Sequence, residues 1–248
     1  MRGDQHVSLS LATAGLLIAP WAPVLDPALI AVLLFGTFVG SLAPDADAVD
    51  AAIFNGRIGG IKGKKGQVLN GLAVVLPIFG YTIRYLIYYP LSLIFSLLLR
   101  KSYRHRHRGL LHSFAGVGLT SLILSVYLGL ILTWLGGPLV LLPAFGCAFF
   151  VGCVLHLVED SCTPAGIAWL YPFSRWRVAG RIRAEGDFEV RPTAFAIVLA
   201  AAAAGMLIAP FLITTSPEEL GRLALVGTPV IWLLFVLVSR VRRERRHR

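Results

Sequence analysis

Three of the six histidines in this 248-residue chain lie within nine residues, in HRHRGLLHS, His105 to Ser113, between an arginine-rich run and a long apolar one. Imidazole beside carboxylate is the side-chain chemistry of divalent metal sites. Carboxylates and further histidines recur in matching settings. His6 stands just ahead of the first apolar run, Asp45 and Asp47 follow the second in SLAPDADAVD, His107 and His112 precede the fifth, and His156 and Asp160 close the sixth in LHLVEDSCTPAG. His156 and Asp160 are spaced i, i+4 and share one helix face. Asp45 and Asp47 are spaced i, i+2 in a Pro-initiated loop, where alternate side chains can point the same way. His107 and His112 would sit about 140° apart on a continuous helix, so Gly109 is expected to mark a turn, with His107 on a loop and His112 on the first helical turn. The mixture suits zinc, manganese or iron, and bridging carboxylates would permit one or two ions. His105 reads as a headgroup contact, and His247, inside the basic tail, carries no site.

The elements that must position these groups are apolar. Hydrophobic residues make up 56% of the chain and charged ones 15%, with a mean hydropathy of +0.75, which is membrane composition. A spanning helix needs about 20 mainly apolar residues. Runs of that order recur at 7–24, 28–43, 68–83, 85–99, 114–135, 138–157, 193–213 and 223–239. The fold class is therefore all-α, a polytopic transmembrane helical bundle of about seven to eight spans. Arg84 divides 68–99 into two halves short for full spans, so a hairpin, a re-entrant pair or one tilted helix are all open. No soluble module is long enough to fold alone. The first apolar run lacks a clear cleavage pattern and reads as a retained span. Cys147, Cys153 and Cys162 form no CxxC pair and read as packing residues.

The net charge of +10 does not indicate nucleic acid, because of where it lies. With eight spans counted, 21 of the 23 Lys and Arg fall in loops on one side, leaving Arg84 and Arg222 on the other. This is the positive-inside pattern, which places both termini in the cytoplasm. Every candidate ligand then lies at the cytoplasmic end of a span, although the topology was drawn from Lys and Arg alone. Lys64 and Lys65 in RIGGIKGKKGQ, and Arg175, Arg177, Arg181 and Arg183 interleaved with Trp176 in SRWRVAGRIR, suit anionic phospholipid headgroups as partners. RVRRERRHR reads as a stop-transfer and anchoring tail. The span centres offer almost no polar groups, which weighs against a transporter. A metal that merely staples loops is a further alternative.

At these residues the chain resembles the YdjM-like family of predicted membrane-bound, metal-dependent hydrolases. The shared features are His6; Pro44-Asp45-Ala46-Asp47; His107-Arg108-Gly109-Leu110-Leu111-His112-Ser113; and His156 with Asp160, followed by Thr163-Pro164-Ala165-Gly166 and Pro172. They span residues 1–178, with 179–248 completing one integrated domain as C-terminal helices and basic tail. Ala48 stands where that family has a histidine after PDxD, and Leu111 where it has a threonine. The resemblance implies hydrolysis at the inner membrane surface, on a lipid phosphoester or ester. The implied metal set is His6, Asp45, Asp47, His107, His112, His156 and Asp160, with zinc or manganese as the ion. Asp47 or Asp160 would orient or deprotonate water, and Arg108 would steady a phosphoryl charge. Ser113 has no GxSxG context and is a weak nucleophile candidate.

Overall fold

In the computed structural model, residues 1–56, 70–99, 103, 107–174, 176–183 and 189–245 are described. His105, Lys64, Lys65, Arg175 and His247 lie outside the described residues. Apolar runs become helices bounded by ordinary start signals. Helix α1 is Gly3–Ile18 and α2 is Pro27–Gly40; α2 opens on an Asp26 cap, whose carboxylate accepts from the Ala28 amide at 2.7 Å, with proline at its first position. Five longer helices follow: α3 (Asn70–Leu99), α4 (Phe114–Trp134), α5 (Leu142–Ser161), α6 (Arg191–Leu212) and α7 (Pro217–Val238), each long and apolar enough to cross a membrane. Ser113 caps α4 and Ser216 forms a reciprocal capping box with Glu219 at the start of α7. Leu97, Leu98, Leu130, Phe211 and Leu225 are exposed on these helices, as lipid-facing surfaces require.

Two pairings decide where the polar ends meet. Helices α2 and α5 run side by side with their C-termini together, and glycines set the distance. A Cβ on Gly40 would lie 2.1 Å from the Phe149 carbonyl oxygen, and one on Gly152 would lie 2.4 Å from that of Thr37. Gly36 and Gly40 are thus a small-xxx-small surface against which α5 packs backbone to backbone. Helix α1 is held from the other side by α6 and α7, where Leu9, Leu16, Leu199, Ala224 and Phe235 form a buried cluster and the Trp232 indole donates to Thr13 at 3.1 Å.

Residues 70–99 form one 30-residue helix and not a hairpin. Its middle, Thr82–Tyr88, is π-helical. Arg84, expected in a loop on the side opposite the candidate ligands, is instead buried within α3. Its Nη2 donates to the Asp47 carbonyl at 3.1 Å, and its guanidinium lies 4.9 Å from the Phe54 ring centre. A buried cation needs such partners, and they are supplied by the loop after α2. The basic tail also departs from a plain anchoring run. Strand β1 (Trp176–Ala179) pairs antiparallel with β2 (Arg242–Arg245), with Arg177 opposite Glu244 and Val178 opposite Arg243. The otherwise all-α bundle therefore carries a two-stranded ribbon at the end where the ionisable residues gather.

Candidate metal centre

Four segments bring their ionisable side chains to one end of the bundle, all buried except the partly exposed Asp45, Arg108 and His107. Helix α1 brings His6; the 3-10 turn Ala43–Asp47 after α2 brings Asp45 and Asp47; the turn before α4 brings His107, Arg108 and His112; and the last turn of α5 brings His156 and Asp160. His112 precedes the Ser113 cap, so it lies in the turn and not on the first helical turn expected for it. His6, His112 and His156 are each 0% exposed. The His6 and His156 rings stack with centroids 3.9 Å apart.

The outer nitrogens of His156 and His6 are engaged. His156 Nδ1 lies 2.7 Å from the Ser41 carbonyl oxygen; a carbonyl only accepts, so Nδ1 carries the hydrogen and the Nε2 lone pair is free. His6 Nδ1 is paired with the Glu159 carboxylate, itself held by the Ser10 hydroxyl at 3.1 Å. His112 Nδ1 faces Asp47 Oδ2 at 3.6 Å, within ion-pair range but beyond a hydrogen bond. Carbonyl or carboxylate behind a metal-facing imidazole is the usual outer support of such centres.

The inner atoms have no such satisfaction. Nε2 of His6, His112 and His156 and Oδ2 of Asp160 are buried without a hydrogen-bond partner. Asp45 Oδ1 is 3.3 Å from His112 Nε2 and 3.6 Å from His156 Nε2, while Asp160 Oδ2 is 3.6 and 3.9 Å from the same two nitrogens. Ligands at about 2.1 Å from a tetrahedral ion are about 3.4 Å from each other, so the observed separations fit an ion between them. Two overlapping groups meet the geometry, His6–Asp45–His156 and His112–His156–Asp160. They share His156, whose one free lone pair serves a single ion, so the five residues fit one centre, with a second ion only if a carboxylate bridges to it.

Asp47 and His107 belong to neither group. Asp47 stands behind His112, accepting from His107 Nδ1 at 2.8 Å and from the Arg108 amide at 3.2 Å. Arg108 takes a left-handed backbone, φ +59°. Its Nε lies 3.2 Å from Asp160 Oδ2 and its Nη1 donates to Thr163 at 3.2 Å. A carboxylate at a helix C-terminus opposes the helix dipole, and Arg108 is the compensating cation; the Met1 amino nitrogen, 2.9 Å from Asp160 Oδ1, adds to it. Ser113 is spent on capping, donating to the Leu110 carbonyl and accepting from the Gly116 amide. Glu159 was missed in the sequence: a second carboxylate beside Asp160 signals little until α1 is seen to pack there. The three cysteines are free thiols.

Charge at the point of convergence is strongly coupled. Burial alone would raise the Asp45 carboxyl, but His156 and His112 outweigh it and hold Asp45 well below the usual carboxylate range. Asp47 is likewise lowered, burial being overcome by His112 and His107. Burial would lower His112, yet the Asp47 and Asp45 carboxylates push it up to about 10. A site that attracts a proton this firmly attracts a divalent cation by the same field.

A cavity of about 200 Å³ adjoins the centre, with His107 and Arg108 in its wall. No curated protein and no solved structure matches the chain. The YdjM inner membrane protein family model matches residues 1–243, well past the motifs at 1–178, so α6 and α7 are included in the match. With the match covering nearly the whole length, the chain belongs to the YdjM inner membrane protein family.

Proposed function

We propose that this chain is a metal-dependent hydrolase whose His/Asp centre faces the cytoplasm and acts on a lipid phosphoester or ester. The observation that carries the reading is the convergence of three buried imidazole Nε2 atoms, none with a hydrogen-bond partner, on the Asp45 and Asp160 carboxylates. Leaving such atoms unpaired costs about 1–3 kcal/mol each, a cost that a bound cation removes. His6, Asp45, His112, His156 and Asp160 would hold the ion, with zinc or manganese the best match to their donor types. A bound divalent ion supplies polarisation of a phosphoryl or acyl oxygen and acidifies water.

The chain's own groups do the rest. Asp160 at the centre and Asp47 behind His112 are the carboxylates that can orient a water molecule or accept its proton. Arg108, fixed by Asp160 and Thr163, directs a guanidinium toward developing negative charge. The adjoining cavity favours catalysis over a closed structural staple, which would need no access. The cytoplasmic orientation is supported by the basic loops flanking the ligand-bearing ends.

The test is elemental analysis of detergent-purified protein, wild type against His112→Ala and Asp160→Ala, followed by a lipid-ester screen with the ion found. Near-stoichiometric transition metal, lost in both variants, is expected. Wild-type protein that takes up neither zinc nor manganese on reconstitution would overturn the reading.

A further inference from the structure

The cavity beside the centre has a wall that the metal does not explain. It is lined by His107, Arg108, Ile167, Arg177 and the Ala165–Gly166 turn. Arg108 is immobilised between the cavity and Asp160, as described. Arg177 sits in β1, a strand fixed on one side by β2 and on the other by the Ile167–Val178 bridge, and its Nη2 donates to the Gly166 carbonyl at 3.4 Å. Gly166 has φ +54°, and a Cβ there would lie 2.4 Å from the Val178 oxygen, so this rim is bare backbone.

Two arginines thus line one small space, Arg108 held from behind by Asp160 and Arg177 standing across the ribbon from Glu244, while Asp47 is taken up by His107 and the Arg108 amide. A carboxylic ester brings no charge to such a wall. A phosphoryl group brings negative oxygens in the geometry that the guanidinium fork matches.

We infer that the cavity between Arg108 and Arg177 seats the phosphoryl group of a phosphate ester, with Arg177 as a positioning residue that sets this specificity. For its chemistry the inference rests on the hydrolase reading, but binding at the cavity does not require the metal. The ester comes from a lipid headgroup or a soluble phosphate. Exposed Leu170, Phe173 and Trp176 on the adjoining segment offer apolar surface for the chains of a lipid.

The test is calorimetric titration of chelator-treated, detergent-purified protein with dihexanoyl phosphatidic acid, glycerol 3-phosphate and dihexanoylglycerol. Expected is phosphatidic acid binding at least tenfold tighter than dihexanoylglycerol. Arg177→Gln is expected to weaken it about tenfold or more, the scale of a lost charge-assisted hydrogen bond. Ala165→Trp, which fills the cavity without removing a charge, is expected to do the same. Arg181→Gln, outside the lining, should stay within twofold, and the metal content of Arg177→Gln should equal wild type.

Glycerol 3-phosphate binding as tightly as phosphatidic acid would identify a soluble ester, and tenfold weaker binding a lipid; both uphold the inference. Equal affinity for dihexanoylglycerol, or wild-type affinity in both Arg177→Gln and Ala165→Trp, would overturn it. Phosphate binding in a protein that takes up no metal would sink the hydrolase reading and leave this one standing.

Discussion

Replacing Gly40 by alanine tests how the fold builds the centre. A Cβ at that position falls 2.1 Å from the Phe149 carbonyl oxygen, against backbone that has no rotamer to escape into. An ordinary nonbonded separation is about 3.5 Å, so α2 and α5 must part locally by roughly 1 Å or more. The His156 Nδ1 to Ser41 oxygen distance, now 2.7 Å, would then pass the limit of a hydrogen bond. Loss of an outer partner behind a metal-facing histidine lowers metal affinity by about 10- to 100-fold, and overpacking costs about 1–3 kcal/mol of stability. Gly205 is the matched control, because a Cβ on it meets nothing within 4 Å; Gly205→Ala should be neutral or stabilising by up to about 1 kcal/mol. The assay is thermal unfolding in detergent together with metal competition against a chromogenic chelator. Gly40→Ala behaving like Gly205→Ala in both readouts would refute the claim that the α2–α5 contact positions His156.

Other outcomes follow from the same geometry. Glu159→Gln keeps the shape but not the charge behind His6, and competition titration should show metal affinity about tenfold weaker; an unchanged value would remove Glu159 from the centre. Because His112 is pushed up to about 10 by Asp47 and Asp45, its proton must leave before Nε2 can bind an ion. Metal affinity should therefore rise with pH across 6 to 8, by up to about tenfold per unit, with about one proton released per ion in calorimetry across buffers; a flat profile would contradict that state of His112. Arg108→Gln should lower turnover on a phosphate ester by about 100-fold or more while metal content stays near wild type, and loss of metal instead would make Arg108 a structural residue. Ser113→Ala should cost about 1 kcal/mol in thermal stability through the lost α4 cap, yet leave turnover within a few fold; abolished turnover at full stability would revive it as a nucleophile.

Hydropathy located most helices closely, as the run 114–135 against Phe114–Trp134 shows, because apolar length is a local property. The gathering of His6, Asp45, His112, His156 and Asp160 was legible too, since each closes or opens an apolar run at the end rich in basic residues. Arg84 misled for a physical reason: a charge inside an apolar stretch reads as a loop, and its partner, the Asp47 carbonyl, lies 37 residues away. Strand β2 was hidden because a run of arginines has no alternating apolar pattern, and its pairing depends on a partner across two helices. The Gly36-x-x-x-Gly40 spacing was present all along, but only the packing of α5 on it shows which helix it receives.

The β1–β2 ribbon also has a consequence for the order of assembly. Every ligand of the candidate centre lies at or before Asp160, whereas β2 follows α7, and the Arg181 amide is tied to the Ser239 carbonyl where the chain leaves that helix. During synthesis the centre can form while the last two helices are still being inserted, but the strand bearing Arg177 gains its partner only after α7 is in place. A chain truncated after Val238 would therefore emerge with its ligands gathered and its cavity wall held on one side only, by the Ile167–Val178 bridge, a stalled intermediate distinguishable from the mature protein by greater protease sensitivity between Ser174 and Arg183.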